Sequence, residues 1–139
     1  MLSLIDIEYF MKQLKLVKIP THTDERGDLT AIELKDYIDW EPKRIYYVTN
    51  VTAPRGAHAV RGEQKIYICM QGAVKARFHD GKEWQEFEMK GPGDAVIMDG
   101  LYWRDFRDFA PHTVLMAVSN LNHDRSTYIM DFEAFKKEA

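Results

Sequence analysis

The sequence predicts an all-β fold, a small antiparallel barrel with a short helix near each end. Two observations carry this prediction. Short apolar or alternating segments follow one another at close spacing, and glycine, proline and aspartate cluster between them. The predicted strands are 44–49, 65–70, 74–79, 83–89, 95–98, 102–106 and 113–119.

The segments between these strands carry residues that favour tight turns. Asp80-Gly81, flanked by His79 and Lys82, is typical of a tight hairpin. No helical segment separates the strands, so the crossovers that a parallel sheet needs are missing and an antiparallel arrangement is expected. The other turn segments are 53–56, 71–72, 91–94 and 99–100.

Both flanks of the barrel show helical spacing. Residues 131–137 predict one or two closing helical turns. Residues 24–28 form a turn by composition, 16–19 are extended, and 29–34 alternate as a half-buried strand does. A short amphipathic N-terminal helix is predicted from Leu4, Ile7, Phe10, Met11 and Leu14.

Length and composition fit one globular domain covering residues 1–139, with 45% apolar and 29% charged residues. The net charge of −3 comes from mixed signs, so there is no basic stripe for nucleic acid. Cys69 is the only cysteine, which fits a core position in a reducing compartment. The start lacks a basic leader, and no apolar run approaches the roughly 18 residues of a membrane span. We expect a soluble, cytoplasmic protein with no membrane partner.

The best candidate for a functional segment is 55–61, with the sequence RGAHAVR. In an extended chain His58 and Val60 share one face, whereas Ala57, Ala59 and Arg61 share the other. A polar side chain on an inward position of a small barrel indicates a lined cavity. This pattern predicts that His58 faces a pocket for a small polar ligand.

The cupins, a class of small jelly-roll barrels, often bind metal through two histidines at i and i+2, a later glutamate and a last histidine. Here His58 fills the first position and Val60 the second. Glu63 or Gln64 could fill the third, and Arg104 occupies the last. Two of the four ligands are therefore missing, and the sequence predicts a cupin pocket without a metal or another cofactor.

The remaining polar residues suit enolisation of a ketone. A base poised near neutral pH is needed beside the carbonyl, and His58 can supply it. The developing oxyanion needs donors, for which Arg44, Arg55, Tyr46 and Tyr47 are candidates. Two alternatives stay open: His58 can be a buried structural histidine, and the tyrosines can form a cross-strand pair that supports the sheet.

Further candidates for substrate binding are arginines and aromatic residues. Arg26, Arg44 and Arg55 suit phosphate or an oxyanion, although Arg26 can equally pair with Asp24, Glu25 or Asp28. Trp103, with Tyr102, can stack on a base or can belong to the core. Arg61 and Arg104 complete this set, whereas the other histidines are predicted on the surface or in loops: His22, His79, His112 and His123.

Several segments form an ordered pattern over residues 16–137: DERGDLTAIE at 24–33, KRIYY at 43–47, PRGAHA at 54–59, CMQG at 69–72, Asp80-Gly81, Trp103 and 128–135. In this order they resemble the dTDP-4-keto-6-deoxyglucose 3,4-ketoisomerases. The resemblance implies a metal-free cupin homodimer that moves a ketone from C4 to C3 of a dTDP-linked 6-deoxyhexose. It also implies a product that feeds a PLP-dependent aminotransferase, which makes 3-amino sugars for surface glycans such as lipopolysaccharide O-antigen or for antibiotics.

Two positions depart from that family's pattern. The family carries His-Ala-His where this chain has His58-Ala59-Val60, and many relatives have a histidine where Arg104 follows Trp103. Three functions are therefore open. The first is a ketoisomerase in which His58 acts alone or with Tyr46, the second is a related sugar-nucleotide epimerase or isomerase, and the third is a cupin that binds the sugar nucleotide without turnover.

Overall fold

The computed structural model describes residues 12–139. Within this part of the chain the structure contains twelve strands, two single-turn 3-10 helices (Leu34–Asp36 and Arg125–Thr127) and one α-helix, α1 (Phe132–Glu138). None of its helices has the length and apolar character needed to cross a membrane. The strands are β1 (Gln13–Lys18), β2 (Thr21–Asp24), β3 (Gly27–Thr30), β4 (Arg44–Val48), β5 (Arg55–Val60), β6 (Gln64–Gln71), β7 (Ala73–His79), β8 (Trp84–Lys90), β9 (Asp94–Asp99), β10 (Trp103–Arg107), β11 (Val114–Ser119) and β12 (Tyr128–Ile129).

Ten of these strands form two five-stranded antiparallel sheets. The first sheet has the order β1-β9-β6-β11-β4 and the second has the order β12-β5-β10-β7-β8, while β2 and β3 form a separate hairpin. This is the jelly-roll arrangement of a cupin, and the all-β prediction is confirmed. All seven strands predicted between residues 44 and 119 are present, and the predicted hairpin at 79–82 joins β7 to β8.

The main core lies between the two sheets and follows from alternation along the strands. In β7, Val74, Ala76 and Phe78 are almost fully buried, whereas Lys75 and Arg77 between them are partly exposed. This period of two places every second side chain inside. The same cluster includes inward residues of the facing sheet, which are Tyr67, Cys69, Val96, Met98, Leu115 and Ala117.

A second core covers the outer face of the first sheet. Ile66, Ile68 and Ala95 are fully buried there, under a segment that includes Ile32, Leu34 and Trp40. The prediction of a strand at 29–34 is wrong in its second half, because β3 ends at Thr30 and a 3-10 turn starts at Leu34. The side chains of Ile32 and Leu34 cover the outer face of the first sheet, and their segment does not pair with a neighbouring strand.

Helix α1 covers the outer face of the second sheet and confirms the predicted closing turns. Asp131 caps it, since its Oδ2 accepts a hydrogen bond from the Ala134 amide at 2.9 Å. Phe135 is fully buried against Trp103. At the other end, Leu14 belongs to β1, so the predicted N-terminal helix does not reach it, and the rest of that prediction lies outside the described residues.

One irregularity in β5 decides how the candidate segment is presented. Gly56 and Ala57 have φ angles of 91° and 63°, and the register between β5 and β10 shifts beside Arg104. This β-bulge adds a residue to the strand and changes the direction of the side chains that follow it. From His58 onward the predicted alternation holds, because His58 faces between the sheets while Ala59 packs beneath α1.

Gly56 is required at this bulge for two reasons, its φ angle and its close packing. A Cβ atom at this position would lie 2.8 Å from the carbonyl oxygen of Arg104. We expect Gly56→Ala to lower the free energy of unfolding by about 2–4 kcal/mol, from backbone strain together with overpacking. A urea titration of both variants would measure this loss.

Gly62→Ala is the matched control, because Gly62 has a φ of 75° and no atom within 4 Å of the added carbon. It should cost only about 1 kcal/mol, the strain alone. Equal losses in the two variants would contradict the steric role of the Arg104 carbonyl.

Candidate active site

A cavity of about 350 Å³ opens between the two sheets, a size that suits a small ligand. Its floor is formed on the first sheet by two rows of side chains across three paired strands. Arg44, Ser119 and Lys65 form one row, and Tyr46, Ala117 and Tyr67 form the next. The central strand β11 carries the small members of both rows, and this leaves room between the large side chains of β4 and β6.

His58 lies on the opposite wall, on β5, directly across from Arg104 on β10. Its imidazole is partly buried and lies 4.9 Å from the Tyr128 ring, centroid to centroid. Burial and the positive charge of Arg104 lower the pKa of His58 to about 4. At neutral pH the imidazole is therefore uncharged and has a lone pair that can accept a proton.

Three ionisable side chains meet next to this histidine. Arg104, with 1% of its side chain exposed, donates a hydrogen bond from Nη2 to Oε1 of Glu63. The Nζ of Lys65, which is 3% exposed, lies 3.4 Å from the other carboxylate oxygen, Oε2. Two cations thus share one carboxylate, and with Arg44 nearby the floor carries a surplus of positive charge. Such a site favours an anionic ligand.

Tyr46 lies among these cations. The Lys65 Nζ is 4.7 Å and the Arg44 Cζ is 4.9 Å from the centroid of its ring. Burial raises the pKa of Tyr46 to about 12, so its hydroxyl stays protonated and available as a donor. Two further pocket residues hold a buried polar atom that has no hydrogen-bond partner within the protein, namely Tyr67 Oη and Arg104 Nη1. Unpartnered polar atoms of this kind are typical of a ligand site.

Of the residues predicted for the site, six line this cavity: His58, Tyr46, Tyr47, Arg44, Arg55 and Arg104. Three others do not reach it. Arg26 forms an exposed ion pair with Asp24 at 2.6 Å in the β2–β3 hairpin. Arg61 follows the end of β5 and pairs with Glu138 at 2.7 Å. For Arg26, the structure matches the ion-pair alternative.

Trp103 is the third of these, and it belongs to the core. Because Arg104 faces the cavity, the neighbouring Trp103 faces the other side of the sheet, where it packs on Phe132 of α1 at 5.2 Å. The prediction that His79 lies on the surface or in a loop is wrong: it ends β7, is 6% exposed and packs against Trp84 and Phe132. His22, His112 and His123 are exposed, as predicted.

Lys65, Tyr67 and Tyr128 line the cavity but were not identified from the sequence. A signal for Lys65 exists in β6, where Lys65, Tyr67 and Cys69 alternate on one face. A lysine in register with two core residues is rarely placed there without a partner or a role. Within residues 12–139, no three His, Cys, Asp or Glu side chains gather closely enough to hold a metal ion.

Fold and cavity together define a small-molecule cupin whose pocket pairs a neutral imidazole with a cationic floor. The comparisons with known proteins agree with this class. The sequence model of the family described as FdtA: WxcM-like, C-terminal, matches residues 12–139. The TDP-4-oxo-6-deoxy-α-D-glucose-3,4-oxoisomerase of Aneurinibacillus thermoaerophilus is 30% identical over 125 residues, which are 88% of this chain and 90% of that protein.

Two solved structures are similar over almost their whole length. One is QdtA, a sugar 3,4-ketoisomerase from Thermoanaerobacterium thermosaccharolyticum in complex with TDP, with a TM-score of 0.83, 31% identity and 91% and 93% of the two chains covered. The other is a 3,4-ketoisomerase from Helicobacter canadensis, with a TM-score of 0.83, 28% identity and coverage of 90% and 96%. The chain belongs to the dTDP-4-keto-6-deoxyglucose 3,4-ketoisomerase family, as its sequence pattern predicted.

The low basicity of His58 can be measured directly. We expect its imidazole to titrate with a midpoint near pH 4, because burial and Arg104 both oppose protonation. An NMR titration of protein labelled with ¹⁵N-histidine would follow this, with the His58 signals assigned by their absence in His58→Asn. A midpoint at or above the ordinary value of 6.5 would contradict the environment described for this ring.

Proposed function

We propose that this protein is a sugar-nucleotide 3,4-ketoisomerase that converts a dTDP-4-keto-6-deoxyhexose into its 3-keto isomer through an enediol intermediate. The observation that carries the proposal is the neutral imidazole of His58 facing a cationic floor inside the barrel. Family membership supplies the class of reaction, and the relatives named above are ketoisomerases rather than epimerases. A solved relative is bound to TDP, which supports a thymidine nucleotide as the carrier.

The reaction needs one base and one oxyanion site. His58 removes the proton from C3, next to the C4 ketone, and the electron pair forms an enediolate with its charge on O4. Arg44, Tyr46 and Arg104 line the same cavity as His58 and are the donors we assign to this charge. The proton of O3 then passes to O4, C4 receives a proton from the imidazolium of His58, and the carbonyl is re-formed at C3. No proton is gained or lost overall.

A single imidazole can perform both carbon proton transfers, because C3 and C4 are adjacent and one ring on one face of the sugar can reach both. Val60, which replaces the family's second histidine, is buried and apolar, so it cannot exchange protons. We therefore assign the base to His58, with Tyr46 as its partner at the oxygen. We assign Arg44, Arg55 and Arg104 to the oxyanion or the pyrophosphate.

Deuterium exchange tests the proposal. With dTDP-4-keto-6-deoxyglucose in D₂O, the wild-type protein should incorporate deuterium into the sugar ring and form a 3-keto product, both visible by NMR. His58→Asn should lower the rate of exchange by at least about 10²-fold, the usual contribution of a general base. Its affinity for TDP should stay within a few-fold, because the asparagine keeps a polar group of similar size.

His22→Asn is the matched control, since His22 is exposed on the β2–β3 hairpin. It should exchange at the wild-type rate. Undiminished exchange in His58→Asn would remove His58 as the base. Exchange that yields a 4-keto epimer would indicate an epimerase, and TDP binding without any exchange would indicate a binding protein.

We also propose that the protein acts as a homodimer in the cytoplasm. Edge strand β4 supports the dimer, because its Ile45 and Tyr47 side chains are 61% and 67% exposed. An unpaired edge with apolar side chains is a typical association surface.

The reduced, buried Cys69 fits a reducing compartment. A 3-keto product suits a PLP-dependent aminotransferase in the synthesis of 3-amino sugars, for O-antigen or similar glycans.

The dimer can be tested at β4. We expect Ile45→Lys to convert a dimer into a monomer, because a charged side chain on the edge opposes strand association. Sedimentation velocity would measure the mass in solution, with Met130→Lys as the control at another exposed apolar position. An unchanged mass in Ile45→Lys would exclude β4 as the contact.

A further inference from the structure

Lys65 is the one lysine of the described chain whose side chain is almost fully buried and lines the cavity. A buried lysine normally forms a close, one-to-one ion pair. Here the partner, Glu63, is already engaged by the guanidinium of Arg104. The carboxylate cannot neutralise both cations, so Lys65 is the surplus charge of the cluster.

The aromatic contacts of Lys65 place its ammonium group at the cavity. Its Nζ lies 4.7 Å from the ring centroid of Tyr46 and 5.2 Å from that of Tyr67, and both rings line the cavity. The ammonium therefore lies at the floor, beside the hydroxyl-bearing side chains and facing the wall that carries His58. It has donors to offer to an anion in the cavity, and its ion-pair contact is the one with Glu63 at 3.4 Å.

We infer that Lys65 is a further catalytic residue of this site: its ammonium stabilises the O4 oxyanion of the enediolate and carries the proton from O3 to O4. This inference rests on the proposed function. The ammonium first gives a proton to O4 and becomes an amine. The amine then takes the proton of O3, and the electrons left on O3 re-form the carbonyl at C3 as C4 takes its proton from His58. Lys65 ends the cycle as the ammonium it was at the start.

The electrostatic surroundings fit a group that must both give and accept a proton near neutral pH. Burial, followed by the positive charge of Arg104, lowers the pKa of Lys65 to about 7. The ionisable groups that face it come from four strands and one turn, and they are Arg44, Tyr46, His58, Glu63, Tyr67 and Arg104. Glu63 is the only carboxylate among them, and it opposes the lowering of the pKa by burial and by Arg104.

Two substitutions separate the roles of this lysine. Lys65→Met removes the charge at similar length, and we expect both deuterium exchange and product formation to fall by at least about 10²-fold. Lys65→Arg keeps the positive charge, but its guanidinium cannot release a proton near neutral pH. It should retain exchange within about tenfold of the wild type, while the 3-keto product falls by at least about 10²-fold.

Stability and pH provide readouts that a merely structural lysine would not give. Removing the surplus cation leaves Glu63 and Arg104 as a balanced pair, so Lys65→Met should unfold at the same or a higher temperature than the wild type. Wild-type kcat/KM should decline as the pH rises through about 7, where Lys65 loses its proton. This fall of kcat/KM above pH 7 should be absent in Lys65→Arg, because the guanidinium stays charged.

Lys75→Met is the control, because Lys75 is a partly buried lysine of β7 that pairs with Glu88 and Asp108 outside the cavity. It should isomerise at the wild-type rate. Isomerisation by Lys65→Met within threefold of the wild type would overturn the inference. So would a lower unfolding temperature with a matching loss of TDP affinity, or equal loss of exchange and product in Lys65→Arg. Absence of exchange in the wild type is a different result, since it would overturn the proposed function itself.

Discussion

The buried contact between Arg104 and Glu63 is the interaction on which the pocket depends. A guanidinium that is 1% exposed would cost several kcal/mol to bury without a carboxylate partner. The backbone of Arg104 also packs against Gly56, so the same residue borders the bulge that presents His58. Its charge, in turn, contributes to the low pKa of that histidine. Arg104 of β10 therefore contacts both the bulge of β5 and Glu63, and it also lowers the pKa of His58.

Most of the fold could be predicted from the sequence, because alternation and turn residues are local signals. Strands such as β7 carry both, and they were located correctly. The segment after Thr30 shows the limit of this method: Ile32 and Leu34 alternate as in a strand, yet they cover the outer face of the first sheet. Alternation reports that one side of a segment is buried, but not whether the segment pairs with a neighbour.

The site was predictable in part for the same reason. His58, Arg44 and Tyr46 lie in alternating strands, where the burial of one face follows from the sequence. Trp103 and Arg61 could not be placed, because their environment is set by α1, which returns from far along the chain to pack on them. Lys65 was missed because both faces of β6 are buried, so the alternation there does not tell which face lines the cavity.

The positive charge of the cavity floor affects how the site binds protons and anions. Burial, followed by the positive charge of the cations around them, lowers the pKa values of both His58 and Lys65. A pyrophosphate brought into that field would offset the repulsion, so ligand entry and proton uptake favour each other. Departure of the product then returns protons to water, and the cycle becomes sensitive to the surrounding pH through two side chains of the barrel itself.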